Sequence, residues 1–243
     1  MALSEILERP APAADRRIAY GPDPNHFGDL RLPAGAGPHP VAIVLHGGFW
    51  RARFDLLHIG HLCAALTAKG IATWSLEYRR VGQPGGGWPG TCEDVKAGAA
   101  LAAQLPELDP HRTIAIGHSA GGHLALWLAA EGMVGGAVSL AGVTDLQRAA
   151  ELNLGNGAVQ EFMADSNDYM KASPRNRLPL GVKQVLIHGE LDDIVPVELS
   201  RGYAQVADDE AELHVIPRVG HFAVIDPLSE AWPTVEAAVI NLL

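Results

Sequence analysis

From residue 41 to its end the chain alternates short apolar, β-rich runs with longer alanine- and leucine-rich segments. This alternation restricts the fold more than any other feature. The runs are VAIVLHGG (41–48), IATWSLEY (71–78), TIAIGHS (113–119), GAVSLAG (136–142), QVLIHGE (184–190) and ELHVIPRV (212–219). HFGDLRLP (26–33) precedes them with the period of a half-buried strand. Most runs are continuously apolar, as strands covered on both faces of a parallel sheet must be. Between them the pattern predicts helices at about 55–69, 92–105, 121–131, 197–207 and 229–242. TAKG closes the first with a lysine and a glycine, and Glu93 and Asp94 sit in the first turn of the second, where the helix dipole favours acids. Strand–helix–strand succession places helices on both faces of a sheet. The expected fold is therefore α/β, with a doubly wound, mostly parallel sheet of about 7–8 strands. Residues 1–16 read as an N-terminal extension and 17–243 as a single domain. Within it, 143–182 reads as a short lid-like insertion of one or two short helices.

A chain of 243 residues, 48% hydrophobic, can bury one sizeable core. Its net charge is −10, and no basic cluster exceeds a pair such as Arg79-Arg80. Nucleic acid and membrane surfaces are therefore excluded as expected partners, since phosphate binding needs concentrated positive charge. Homo-oligomerisation stays open. The N-terminal MALSEILERPAPAADRR scatters charges where a signal peptide carries an apolar stretch. With only Cys63 and Cys92, the expected location is the cytoplasm. Cys63, inside the apolar HLCAALTAKG, reads as packing.

In open α/β sheets, ligands bind beyond the carboxyl ends of the strands. The residues that follow the predicted strands are His46-Gly47-Gly48-Phe49-Trp50, Gly117-His118-Ser119-Ala120-Gly121, His188-Gly189-Glu190-Leu191-Asp192-Asp193 and Gly220-His221-Phe222. One edge thus gathers a glycine loop, a serine, an acid and a histidine. GHSAG matches the G-x-S-x-G elbow, with a strand before it and a helix after it. A serine hydroxyl needs a base to take its proton and a carboxylate to orient that base. His221 follows the last strand and serves as the expected base. For the acid, Asp192 is preferred to Asp193, because neighbouring side chains diverge and only one turns inward. His118 reads as a packing or hydrogen-bonding neighbour, His46 as a tie for its loop, and His188 as structural. His58, His61 and His123 fall on predicted helices, and no spacing points to zinc. No metal or organic cofactor is expected. The oxyanion donors are expected from the amide of Ala120 and from the His46–Trp50 loop. Asp145, after another strand, reads as a helix N-cap.

Together, HGGFW and GHSAGG resemble the α/β-hydrolase superfamily, over nearly the whole chain from about residue 17. Within it they are similar to the esterase/lipase group that includes the kynurenine formamidases (arylformamidases). The resemblance implies a Ser119–Asp192–His221 triad with oxyanion amides from Gly48, Phe49 and Ala120. HGELDDIVP is similar to the acid loop of prolyl-oligopeptidase-type peptidases, which implies that the first aspartate acts. Phe49 stands where hormone-sensitive-lipase relatives carry a third glycine, and their long N-terminal cap has no counterpart. Trp50, with Trp88 in the glycine-rich GQPGGGWPG (82–90), is an expected wall for an aryl substrate; the alternative is that both plug their loops. The expected activity is hydrolysis of a small ester or amide through an acyl-enzyme, carboxylesterase or arylformamidase-like. The alternatives are a small serine exopeptidase, an acyltransferase, or a non-catalytic small-molecule-binding protein on the same fold.

Overall fold

A computed structural model describes residues 5–243. Eight strands form one sheet: β1 (Arg16–Ala19), β2 (Phe27–Arg31), β3 (His39–Leu45), β4 (Ala72–Leu76), β5 (Leu108–His118), β6 (Gly136–Leu140), β7 (Lys183–Gly189) and β8 (Ala211–Ile216). Their spatial order is β1-β2-β4-β3-β5-β6-β7-β8. β1 and β2 run antiparallel to their neighbours, and the six strands from β4 to β8 run parallel to one another. The helices are α1 (Glu5–Glu8), α2 (Gly60–Thr67), α3 (Gly90–Ala102), α4 (Ala120–Ala130), α5 (Leu146–Glu151), α6 (Ala158–Met163), α7 (Tyr169–Ala172), α8 (Glu198–Ala207) and α9 (Trp232–Leu242).

The apolar runs are buried on both faces because each divides its side chains between two cores. In β3, Val41, Ile43 and Leu45 join the cluster that holds α3, α4 and α8, while Ala42 and Val44 join the cluster that holds α2 and α9. Successive side chains of a strand point to opposite faces, so neither face can be polar. Burying one leucine or isoleucine fully contributes about 1.5–3 kcal/mol. The central strands therefore anchor the edge from which the site loops spring.

One part of the domain reading is corrected. Residues 143–182 form three short helices, α5 to α7, and a 3₁₀ turn at Pro174–Arg177, more than one or two. As expected, Asp145 caps α5, its Oδ1 accepting from the Arg148 amide at 3.0 Å. Of the N-terminal extension, residues 1–4 lie outside the described residues. β1 begins at Arg16, and Ile6 of α1 is 1% exposed within the α2/α9 core. Among the described residues, no helix is long and apolar enough to cross a membrane.

Candidate active site

Ser119 occupies the turn between β5 and α4 with φ 56° and ψ −118°, a region a non-glycine residue enters only when its surroundings force it. The forcing groups are local. The Ser119 amide donates to the Leu140 carbonyl at 2.8 Å, and the Ser119 carbonyl accepts from the Gly122 amide at 2.9 Å. Glycines permit the turn: a Cβ on Gly117 would overlap the Gly121 carbonyl, and one on Gly121 would overlap the Leu45 carbonyl. The hydroxyl is thus presented above the sheet at the start of a helix whose free amides favour developing negative charge.

Asp192 and His221 come from the loops after β7 and β8. His221 Nδ1 lies 2.6 Å from Asp192 Oδ2. An ionised carboxylate only accepts, so Nδ1 carries the proton and Nε2 is left as a base. Asp192 Oδ1 accepts from the amides of Ile194 at 2.9 Å and Val195 at 2.8 Å. Burial pushes the Asp192 carboxyl up, but the hydrogen bonds from His188 and His221, the charge of His221 and the Val195 amide outweigh it and hold it well below the usual carboxylate range. Asp193 is exposed, and its side chain makes no hydrogen bond among the described residues.

The neighbouring histidines hold these loops. His188 Nε2 lies 2.8 Å from the Val195 carbonyl and 3.2 Å from Asp192 Oδ2, and its Nδ1 accepts from the Ser200 hydroxyl at 2.8 Å. His118 Nε2 donates to the His221 carbonyl at 2.9 Å, away from Ser119. His46 stacks on Tyr78 at 4.4 Å and reaches Glu77 Oε1 at 3.0 Å, fixing the start of the glycine loop. In that loop Gly48, Phe49 and Trp50 have φ 114°, 53° and 56°, so three successive residues turn through the left-handed region.

Ser119, His221, Gly48 and Phe49 line one cavity of about 120 Å³, walled also by Leu7, Phe54, Ile194 and Phe222. His58, His118 and Arg53 complete the lining. Ala120, next to Ser119, is fully buried. Trp50 and Trp88 do not line it, which corrects the expected aromatic wall. The turn through residues 48–50 sends Trp50 inward. There it is 1% exposed, stacks on Phe162 at 4.6 Å and donates through Nε1 to His123 Nδ1 at 3.3 Å. Trp88 faces Trp127 at 6.2 Å, and its amide donates to the Phe162 carbonyl at 2.7 Å. Both tryptophans therefore fasten the 143–182 insertion, helped by the Arg51–Glu161 pair at 2.6 Å. Among the described residues, none of the insertion lines this cavity. Sequence reasoning missed Leu7, Phe54 and Ile194. His58, expected on a helix, sits on the 3₁₀ helix Leu56–Ile59 at the cavity. Only Phe222, beside His221, carried a local signal. No group of three or more His, Cys, Asp or Glu suited to a metal ion occurs among the described residues.

The histidines also predict a pH dependence of stability. Burial lowers His118 well below the ordinary histidine value, with His221 and His58 adding to it. Burial lowers His58 to about 4, with His46 adding, and lowers His123 to about 4. The unfolded chain binds the His58 and His123 protons near the ordinary 6.5, the folded protein only near 4. Between those values the unfolded state holds more protons, so stability is present at neutral pH and falls as pH falls. His123, fully buried, accounts for up to about 3 kcal/mol by the lower end. The urea midpoint should drop steadily between pH 7 and 5, and a constant midpoint would contradict this linkage.

The model of the prolyl oligopeptidase family of peptidases matches residues 51–231, which include the serine elbow, the acid loop and His221. The chain belongs to the prolyl oligopeptidase family. A relative, Esterase LipC of Mycobacterium tuberculosis, is 28% identical over 261 residues, covering 93% of this chain and 64% of that protein. The chain therefore spans slightly less than two-thirds of that relative's length. Among solved structures, a truncated carbohydrate esterase from gut microbiota superimposes with a TM-score of 0.81 at 20% identity, covering 96% of each chain. Esterase B from Lactobacillus rhamnosis gives 0.80 at 18% identity, covering 98% of this chain and 88% of that one. A butyrate-bound esterase of Thermogutta terrifontis gives 0.79 at 18% identity, covering 96% and 94%. These likenesses establish the shared α/β-hydrolase fold.

Proposed function

We propose that this family member is a serine hydrolase that cleaves small esters through an acyl-enzyme. The observation that carries the reading is the Asp192–His221 pair at 2.6 Å, whose imidazole shares a small cavity with Ser119 on its strained elbow. The relative and the structural neighbours that bear the name esterase support it.

In this reading His221 Nε2 removes the Ser119 proton as Oγ forms a bond to the substrate carbonyl carbon. The carbonyl electron pair moves onto its oxygen, which the amides of Gly48, Phe49 and Ala120 receive. Collapse of that tetrahedral species expels the alkoxide, and the imidazolium gives it the proton. Water then enters by the same route: its proton goes to Nε2, its oxygen bonds the acyl carbon, and the Ser119–acyl bond breaks with return of the proton to Oγ. Asp192, already paired with Nδ1, stabilises the imidazolium in both halves.

HGGFW keeps a formamide substrate as a second reading. The burial of Trp50 takes away one aromatic wall that spoke for an aryl group, which favours the ester. Steady-state turnover of p-nitrophenyl acetate and N-formyl-kynurenine, measured side by side with Ser119→Ala as blank, decides. Preference for the ester is the expected outcome, and a strong preference for the formamide would replace it with the arylformamidase reading. Wild-type turnover no greater than that of Ser119→Ala for both compounds would overturn the hydrolase reading for these substrates.

A further inference from the structure

The wall of the cavity farthest away in sequence from the elbow is α1. Two anchors hold it there. On one side Ile6 is buried in the α2/α9 core. On the other, Arg9 Nη2 lies 2.5 Å from Asp226 Oδ1, and the Pro12 carbonyl accepts from Arg31 Nη2 at 2.7 Å. Leu7, between these anchors, is half-buried and faces the cavity that contains Ser119 and His221.

Leu7 also lines a second, larger space. A groove of about 600 Å³ runs between residues 6–11 and residues 53–58. It shares Leu7, Arg53, Phe54 and His58 with the cavity, so Leu7 and Phe54 stand where one space meets the other. The two volumes differ about five-fold, and Leu7 is the apolar group on α1 common to both. An apolar cavity of about 150 Å³ holds benzene. The roughly 120 Å³ beside Ser119 therefore suits a group smaller than a benzene ring, such as a short acyl chain.

We infer that Leu7, held across the junction of cavity and groove by the anchors of α1, sets the upper size limit of the substrate group beside Ser119 and makes the protein selective for short-chain esters. This rests on the ester-hydrolase reading above. Leu7 is a specificity-determining residue: it narrows the space without taking part in bond making. The remaining lining includes the bulky, apolar Phe49, Phe54 and Phe222, so shortening Leu7 widens the cavity toward the groove while leaving those walls in place.

The test is the chain-length profile of p-nitrophenyl acetate, butyrate and octanoate for wild type, Leu7→Ala and Leu7→Trp, each checked for an intact melting transition, with Ser119→Ala as blank. Each methylene accepted or refused in an apolar pocket changes kcat/KM by about 10-fold or more. Leu7→Ala should therefore raise the octanoate-to-acetate ratio by at least ~10-fold, and Leu7→Trp should lower the butyrate-to-acetate ratio by a similar factor. Unchanged ratios in both variants, with turnover that Ser119→Ala abolishes, would overturn the size limit and leave the ester-hydrolase reading standing. Turnover that survives in Ser119→Ala, or none in wild type, would remove both.

Discussion

Ser119→Ala and Ser119→Gly should be equally inactive yet differ in stability. Removing the nucleophile of such a triad costs about 10⁵–10⁶-fold in kcat, and both variants lose it. Their backbones differ. At φ 56° and ψ −118° any Cβ is strained, and a residue held in such a region costs about 1–3 kcal/mol. Alanine keeps that strain. Glycine relieves it, less about 0.4–1 kcal/mol for the greater freedom of its unfolded chain. Ser119→Gly should therefore be about 1 kcal/mol more stable than Ser119→Ala by urea unfolding. Equal midpoints would mean that the elbow is not strained in solution. The catalytic and conformational roles of one residue are separated in this way: the serine is kept where a glycine would be more stable.

The parts of this molecule that the sequence made legible are those whose physics is local. VAIVL and TIAI read as central strands because both of their faces meet helices, and no polar side chain fits there. The elbow was legible because glycine is obligatory at 117 and 121, where carbonyls occupy the space of a Cβ. RRIA of β1 was not. It is an edge strand whose arginines pair with Asp29 and Glu107, so it carries no apolar period. The wall supplied by α1 was hidden for a related reason. Four residues cannot signal a helix, and Ile6 and Leu7 acquire meaning only from neighbours far along the chain. Trp50 was misplaced because its direction depends on the left-handed turn at residues 48–50, which a motif does not encode.

Asp192→Asn should lower kcat by about 10⁴-fold, whereas Asp193→Asn should leave it within about two-fold, as expected for an exposed surface change. The asymmetry follows from hydrogen-bond accounting. Asp192 Oδ1 is committed to the Ile194 and Val195 amides, so an asparagine carbonyl oxygen takes that place and its NH₂ replaces Oδ2. That NH₂ then points a donor at His221 Nδ1, 2.6 Å from the atom it replaces. The imidazole must shift its proton to Nε2 to accept this bond, and an Nε2 that carries a proton cannot take one from Ser119. The NH₂ would also confront the donating Nε2 of His188, 3.2 Å from Oδ2, so the variant should lose about 1–3 kcal/mol of stability as well. Asp193 faces solvent, and its replacement disturbs none of these bonds. Because the Asp192 carboxyl is held well below the usual carboxylate range, it remains ionised over any pH at which the folded protein can be assayed, and the activity gap should persist across the profile. Full activity in Asp192→Asn with loss in Asp193→Asn would assign the acid to Asp193 and reduce the bonds of Asp192 to shaping the loop.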